Sequence, residues 1–211
     1  MNNARYRQLT TGLIALWFVF ALSASALHLF KSGPDRPPLA LGLAVLTPIV
    51  VFLIWFSASA GFRQFALFLN PRTLTFVQSW RIVGYTFLVL YAAGLLPGLF
   101  ALPAGWGDIA IGVTAPLAAI KLASPNRRMG FIFWQCLGIL DLVTAVAMGT
   151  LARLISPAGV PTALMTVLPM SLIPTFAVPL LLILHLICIA QARQWAEARF
   201  SSVGELSSYS A

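Results

Sequence analysis

Long uncharged segments, bounded by single charged residues or by proline-rich turns, are the dominant pattern along this chain. Between Arg7 and Lys31 lie 23 uncharged residues, most of them apolar. A helix needs roughly 20 predominantly apolar residues to cross the hydrocarbon layer of a bilayer. This spacing predicts a first membrane-spanning helix over 11–30, and a second uncharged run, of 26 residues, predicts another over 39–60.

Turn-forming residues divide the rest of the chain into further apolar segments. Proline interrupts a helix because it has no N–H group and because its ring clashes with the preceding turn. Breaks of this kind occur at Asn70-Pro71, at Pro97-Gly98 and at Ser124-Pro125. Four further spans are predicted, over 74–96, 105–122, 129–151 and 162–192.

The last apolar run is too long for one simple crossing. Thirty-nine residues without a charge separate Arg153 from Arg193, which would extend about 58 Å as one helix at 1.5 Å per residue. This length is compatible with one pass or two over 154–192. Because five prolines divide the run, we favour one long, tilted or kinked helix over 162–192, with a short polar tail at 199–211.

The composition agrees with this pattern. Of the 211 residues, 60% are hydrophobic and 9% are charged, whereas soluble domains carry about 25% charged residues. The predicted fold is therefore an all-α, polytopic integral membrane bundle of six transmembrane helices in one domain over 1–198, with the lipid bilayer as its surroundings. The net charge of +8 does not indicate nucleic-acid binding here, because no residues remain to build a binding groove once the apolar segments are placed. A homo-oligomer is compatible with the sequence.

The distribution of basic residues predicts the orientation in the membrane. With the N-terminus in the cytoplasm, nine Lys and Arg residues fall on the inner side and three on the outer side. Short cytoplasmic loops are enriched in Lys and Arg. The bias predicts that both termini are cytoplasmic and that the membrane is the cytoplasmic (inner) membrane. The inner residues are Arg5, Arg7, Arg63, Arg72, Lys121, Arg127, Arg128, Arg193 and Arg199, and the outer residues are Lys31, Arg36 and Arg153.

A few ionisable residues fall inside the predicted spans. Such groups are costly at membrane depth, and they usually face a partner, a cavity or a substrate path. The helical rise of 1.5 Å per residue places Arg81, Asp141 and His185 together toward the cytoplasmic side. His28 and Asp108 are predicted to form a separate outer pair.

Helical spacing adds polar neighbours to Arg81. Gln78, Arg81 and Tyr85 stand at positions i, i+3 and i+7, which share one face of an α-helix. We predict that this face points into the bundle. A buried Arg81–Asp141 ion pair that sets the helix register is as well supported as a functional pair, and for Asp108 we favour a cap at the amino end of span four.

Several chemical classes lack their motifs. Cys136 and Cys188 form neither a redox pair nor a zinc pattern, and hydrolase and metalloprotease motifs are absent from the sequence. No metal site and no enzymatic role is predicted, and no catalytic residue or cofactor is identified. His28 and His185 lie in opposite leaflets of the predicted topology and cannot clamp one haem, which leaves ligation by His185 alone as the haem alternative.

Two functions remain compatible with the polar residues. The first is a carrier or channel-like protein that moves or binds a small solute or ion inside the bundle. The second is an accessory subunit that binds a lipid, quinone, pigment, haem, vitamin or partner membrane protein. The candidate solute- or ion-binding residues are Arg81, Asp141, His185, Asp108, Gln78 and Tyr85.

Overall fold

The computed structural model of the protein describes residues 3–31, 39–155 and 160–208. The fold is all-helical in these ranges, and the described residues form no β-strand. The α-helices are α1 (Asn3–Ala26), α2 (Leu39–Ala58), α3 (Ala60–Leu67), α4 (Pro71–Val77), α5 (Tyr85–Ala92), α6 (Gly98–Lys121), α7 (Arg128–Ile155) and α8 (Val178–Ser208). Short 3-10 helices occupy Gln78–Gly84, Pro125–Arg127 and Thr162–Thr166, and a π-helical turn occupies Ile173–Ala177.

Within the described residues, five helices are long and apolar enough to cross a membrane. Their outer surfaces expose many large apolar side chains, especially on α1 and α2, which bury few of their residues. A soluble protein rarely exposes such continuous apolar surface, so these helices indicate a membrane protein. The five are Asn3–Ala26, Leu39–Ala58, Gly98–Lys121, Pro125–Ala152 and Ile173–Trp195.

The segment predicted as the span 74–96 is not one long helix. It consists of α4, the 3-10 helix Gln78–Gly84 and α5, which follow one another without a gap from residue 71 to residue 92. Each piece is short, so the segment is not among the five long helices. The prediction of six uniform transmembrane helices does not describe this part of the chain.

The first two predicted spans end earlier than expected. α1 stops at Ala26, and a turn follows in which His28 has a φ of 58° and an exposed side chain. α2 stops at Ala58, because Ser59 adopts an extended conformation and accepts a hydrogen bond from the Phe62 N–H at 3.2 Å. Ser59 is thus the N-cap of the separate short helix α3.

The fourth predicted span begins earlier than expected. α6 begins at Gly98, after Pro97 in an extended conformation, and Pro103 and Pro116 are both accommodated inside it. Asp108 therefore lies well inside α6, and its predicted role as an N-cap is wrong. Membrane helices tolerate proline in their interior, and Pro103 does not end this one.

The predicted helix over 162–192 is regular only in its second part. Thr162–Thr166 is a 3-10 turn, Ile173–Ala177 is π-helical, and regular α-helix begins at Val178. The backbone of α8 then continues to Ser208, into the predicted tail 199–211, of which 209–211 lies outside the described residues. Of residues 154–161, which precede this predicted helix, 156–159 are not described.

The packing follows the chain order. The segment 71–92 lies against α6, α6 against α7, and α7 against α8, while α2 packs on α8 and on the π-helical turn. The fully buried residues on these faces are mostly small, as at Ala101, Ala104 and Ala115. Small residues let membrane helices approach closely, and this close approach brings the polar side chains of four chain segments together.

Gln191 of α8 holds the connection between α3 and α4. Its side-chain amide nitrogen donates to the carbonyl oxygens of Ala66, Leu67 and Leu69, at 3.4, 3.2 and 2.6 Å. Ala66 and Leu67 are the last residues of α3 and Leu69 follows it, so these carbonyls lie at a helix end, where regular i→i+4 partners are lacking. Gln191 thereby ties the turn before α4 to the core helix α8.

Trp17 of α1 binds a carbonyl that a proline leaves free. In a regular helix the Thr175 carbonyl would accept from the N–H four residues later, but that residue is Pro179, which has none. The Trp17 indole nitrogen donates to this carbonyl at 3.1 Å, and its ring lies 4.8 Å from that of Phe176. Trp17 therefore connects the otherwise loosely packed α1 to the proline-broken segment.

Replacing Trp17 with phenylalanine is expected to lower the free energy of unfolding by about 1 kcal/mol, because the ring contact is kept while the Thr175 carbonyl loses its donor. The measurement is unfolding in mild detergent by titration with a denaturing detergent. Trp106→Phe is the control, since Trp106 is 62% exposed and should change stability by less than about 0.5 kcal/mol. Equal stability of the two variants would show that the indole hydrogen bond contributes nothing.

Candidate functional site

From Thr75 to Phe87, every third residue of the segment 71–92 points into the bundle. Thr75, Gln78, Arg81, Gly84 and Phe87 are all buried, and the residues between them are exposed or half-buried. A 3-10 helix has three residues per turn, so side chains at i and i+3 align along it. The 3-10 helix Gln78–Gly84 therefore carries one inward face from α4 through to α5.

Arg81 lies at the centre of this face and binds both aspartates. Its Nε donates to Oδ1 of Asp108 at 2.7 Å, and its Nη2 donates to Oδ2 of Asp141. Its Nη1 donates to the carbonyl oxygen of Gly138 at 3.1 Å. The Arg81 side chain is 1% exposed, and those of Asp108 and Asp141 are 16% and 14% exposed.

The two carboxylates are close neighbours. They bind Nε and Nη2, which lie on one edge of the planar guanidinium group. In their ordinary ionised forms, Arg81, Asp108 and Asp141 together carry a formal charge of −1. Each carboxylate binds Arg81 through one oxygen. The two carboxylates are partly exposed, whereas the guanidinium group is buried.

A series of hydrogen-bonded, uncharged polar side chains begins at Nη1 of Arg81. His185 Nε2 is 3.4 Å from Arg81 Nη1, and His185 Nδ1 is 2.5 Å from Gln135 Oε1. Gln135 Nε2 donates to the Thr75 hydroxyl oxygen at 3.1 Å, and that hydroxyl donates to the Pro71 carbonyl at 2.8 Å. We call Arg81, Asp108, Asp141, His185, Gln135 and Thr75 the Arg81 cluster.

Glycines make the space for the cluster. A Cβ atom at Gly84 would overlap Asp108, one at Gly107 would overlap Asp141, and one at Gly138 would overlap the His185 ring. Gly112 allows a different contact, because a Cβ there would lie 2.5 Å from the backbone nitrogen of Ile82. Gly112 and Gly138 lie four and three residues from Asp108 and Asp141, which is the spacing of one helix face, whereas Gly84 and Gly107 have no such spacing to either aspartate.

The structure brings together four of the six predicted site residues. Arg81, Asp108, Asp141 and His185 are in direct contact as described. Asp108 does not form an outer pair with His28, since it is bound to Arg81 and His28 lies in an exposed turn. The predicted separation failed because α6 begins at Gly98, which places Asp108 further along its helix than expected.

Gln78 and Tyr85 have different positions. Gln78 is buried and its side-chain amide donates to the Leu181 carbonyl at 3.1 Å, one turn along α8 from His185. Tyr85 is 56% exposed and points away from the cluster. The α-helical period predicted Tyr85 on the face of Arg81, but the 3-10 helix places Gly84 there instead.

Thr75 and Gln135 are the members of the cluster that the sequence did not identify. Both are completely buried. Gln135 is an amide inside an apolar helix, and this is a signal that could have identified it. It follows Trp134, whose indole nitrogen donates to the Thr114 hydroxyl at 3.0 Å. Thr75 had no comparable signal, because threonine is common in membrane helices and usually bonds its own backbone.

The described residues offer little to a metal or a haem. Among them, no group of three or more His, Cys, Asp and Glu side chains could hold a metal ion. Both ring nitrogens of His185 already contact other side chains, Nδ1 that of Gln135 and Nε2 that of Arg81. An axial haem ligand needs a nitrogen directed at the iron, so His185 does not fit that role.

Comparison with known proteins gives one match. A family model described as a domain of unknown function, DUF8737, matches residues 37–193. This range contains every member of the Arg81 cluster and begins after α1. No curated protein and no solved structure matches the chain.

Proposed function

This chain belongs to the DUF8737 family, and we propose that it is a small multi-pass membrane protein, carrier or channel-like, that binds and moves a small solute or ion at the Arg81 cluster. The proposal rests on the unequal exposure of the three charged side chains, Arg81, Asp108 and Asp141. Asp141 stands near the middle of α7, yet its carboxylate and that of Asp108 keep some exposure while Arg81 has almost none. Charged groups at such depth are costly and mark ion and solute pathways.

The charge of the cluster favours a positively charged solute or ion. An entering species meets the carboxylates before the guanidinium group, and the three charges sum to −1 in their ordinary ionised forms. Adjacent like charges repel, and a cation between them reduces that repulsion. An anion would meet two carboxylates first.

A cation at the carboxylates would compete directly with Arg81. In one state Asp108 and Asp141 bind the guanidinium group, and in the other they bind the solute. A ligand shifts such an equilibrium only by its different affinity for the two states, and here the difference comes from replacing Arg81 as the counter-charge. The 3-10 helix Gln78–Gly84 is the element that could change, since 3-10 stretches within helices often act as hinges.

The proposal includes the topology. The segment 71–92 extends about 36 Å at 1.5 Å per α-helical and 2.0 Å per 3-10 residue, which is sufficient for a crossing of roughly 30 Å. With this sixth crossing, both termini lie on one side. The bias of nine inner to three outer basic residues favours the cytoplasm for that side and the cytoplasmic membrane as the location. Arg36, one of the three, lies outside the described residues.

Replacing Asp141 with asparagine is expected to reduce cation flux by at least about tenfold, which corresponds to about 1.4 kcal/mol at the limiting step. The change removes one of two carboxylates and leaves Arg81 and Asp108 as a neutral pair. The measurement uses proteoliposomes with an inside-negative potassium diffusion potential, and it follows proton entry with an internal pH dye and sodium entry with ²²Na⁺.

The matched control is Thr150→Val on the same helix, because Thr150 is exposed and its hydroxyl donates to the Val146 carbonyl of that helix. This variant should retain the wild-type flux. If Asp141→Asn is folded and conducts as fast as the control, the Arg81 cluster is a structural element and the proposal is wrong.

A second candidate function is binding without transport, in an accessory membrane subunit. The observation in its favour is the close packing at Gly107 and Gly138, where even one methyl group would collide with the cluster. Such packing is typical of a rigid site that does not rearrange. Mass spectrometry of the protein extracted in mild detergent separates the two functions, because the accessory role requires a stoichiometric organic ligand or a partner protein.

A further inference from the structure

The hydrogen bonds behind Arg81 have a defined direction that begins at Thr75. The Thr75 hydroxyl lies 2.8 Å from the Pro71 carbonyl, which can only accept. The hydroxyl therefore donates there and leaves its oxygen free to accept. Cys188 Sγ lies 3.9 Å away and is a weaker partner.

The orientation of the Gln135 amide follows from Thr75. Since the Thr75 oxygen accepts, the Gln135 atom 3.1 Å from it is the NH₂ group. The amide oxygen of Gln135 then faces His185 Nδ1. An amide oxygen can only accept, so the proton of the neutral imidazole is on Nδ1.

The other ring nitrogen faces Arg81. In a neutral imidazole with the proton on Nδ1, Nε2 carries a lone pair and can only accept. It lies 3.4 Å from Arg81 Nη1, and a guanidinium group can only donate. The opposite tautomer would place an N–H group against another N–H group. In each hydrogen bond of this series, the donor is therefore the group nearer to Arg81, and the last acceptor is the Pro71 carbonyl.

We propose that Thr75 and Gln135 are positioning residues that hold His185 as the neutral Nδ1–H tautomer, so that its Nε2 accepts a hydrogen bond from Arg81. The inference depends on the proposed function only in treating Arg81 as part of the binding site. Arg81 is then anchored from behind by two neutral acceptors, His185 Nε2 and the Gly138 carbonyl, at 3.4 and 3.1 Å. These contacts persist when a cation draws the carboxylates away from the guanidinium group.

This arrangement assigns His185 a role different from that of a ligand or a proton carrier. Both of its nitrogens are used to orient Arg81, and its ring packs 5.8 Å from that of Trp134. The tautomer of a histidine is determined by the hydrogen bond that one of its nitrogens makes. Here a threonine from α4 and a glutamine from α7 provide that bond.

The tautomer can be read directly by ¹⁵N NMR of the whole protein with labelled histidine. The sequence has only two histidines, His28 and His185, and a His28→Gln variant assigns the signals. Spectra at pH 8, where ordinary histidines are neutral, separate Nδ1–H from Nε2–H by the shifts of the two nitrogens. We expect His185 to be almost entirely Nδ1–H and the exposed His28 to be a mixture of both forms.

The test of the positioning role is a pair of variants at Thr75. Thr75→Val keeps the shape but removes the acceptor for the Gln135 NH₂ group, so the amide can turn over and present NH₂ to His185. The ratio of Nδ1–H to Nε2–H at His185 should then fall by at least about tenfold. Thr75→Ser keeps the hydroxyl and should retain the wild-type ratio, as should the control Thr150→Val.

Two results would overturn the inference. One is an Nε2–H tautomer at His185 in the wild-type protein, which needs no variant to fold. The other is an unchanged tautomer ratio in Thr75→Val. No solute is present in these spectra, so either result leaves the proposed function standing. Undiminished flux in Asp141→Asn, by contrast, contradicts the proposed function and does not bear on the tautomer of His185.

Discussion

Replacing Arg81 with glutamine is expected to lower the free energy of unfolding by about 3 kcal/mol. The variant leaves Asp108 and Asp141 inside the bundle without their counter-charge, and breaking a buried ion pair from one side typically costs 3–5 kcal/mol. We expect the lower end of that range because the side chains of Asp108 and Asp141 are 16% and 14% exposed, so their charges are not fully buried. Titration with a denaturing detergent, followed by tryptophan fluorescence, measures the loss.

Arg72→Gln provides the matched control for Arg81→Gln. Arg72 lies in the same segment but is exposed, so its loss should change stability by less than about 0.5 kcal/mol. Adding Asp108→Asn and Asp141→Asn to Arg81→Gln removes the uncompensated charges and should restore part of the stability, as coupled neighbours do in mutant cycles. If Arg81→Gln is as stable as Arg72→Gln, the ion pairs do not stabilise the bundle.

Replacing Gly112 with alanine is expected to cost at least about 2 kcal/mol. The added Cβ would lie 2.5 Å from the backbone nitrogen of Ile82 and 3.1 Å from two further backbone atoms of the same segment. Backbone atoms cannot rotate away as a side chain can, so α6 and the 3-10 helix Gln78–Gly84 must move apart. Overpacking of this kind typically costs 1–3 kcal/mol, and here it also moves Arg81 relative to Asp108.

The matched control for Gly112→Ala is Gly42→Ala in α2. No atom lies within 4 Å of a Cβ at Gly42, so only the helical preference for alanine over glycine applies, which raises stability by up to about 1 kcal/mol. The two substitutions are chemically identical and should have effects of opposite sign. A stable Gly112→Ala variant with unchanged cation flux would show that the close contact between α6 and the segment 71–92 is not required.

The positions of the long helices could be predicted from the sequence because they depend on local properties. The uncharged run between Arg7 and Lys31 and the proline-rich turns determine where helices can form, whatever they pack against. Helix ends were less predictable. α1 stops before His28, and α6 continues through Pro103, because tertiary context can override the preference of the local residues.

The gathering of Arg81, Asp141 and His185 was also predictable, since charged groups inside apolar spans must find one another. The contact of Asp108 with Arg81 was not, because it depends on where α6 begins. Gln135 and Thr75 lie 60 residues apart in sequence, and nothing in the local pattern of either one indicates the other.

The sequence by itself therefore determined the class of protein, most of its helices and the core of its polar cluster, because hydrophobicity and charge act residue by residue. The tertiary structure decided which side chains share the inward face of the segment 71–92. That face depends on whether the helix has 3.0 or 3.6 residues per turn, and close packing against α6 at Gly112 accompanies the tighter winding. For this reason Gly84, rather than Tyr85, lies beside the charges.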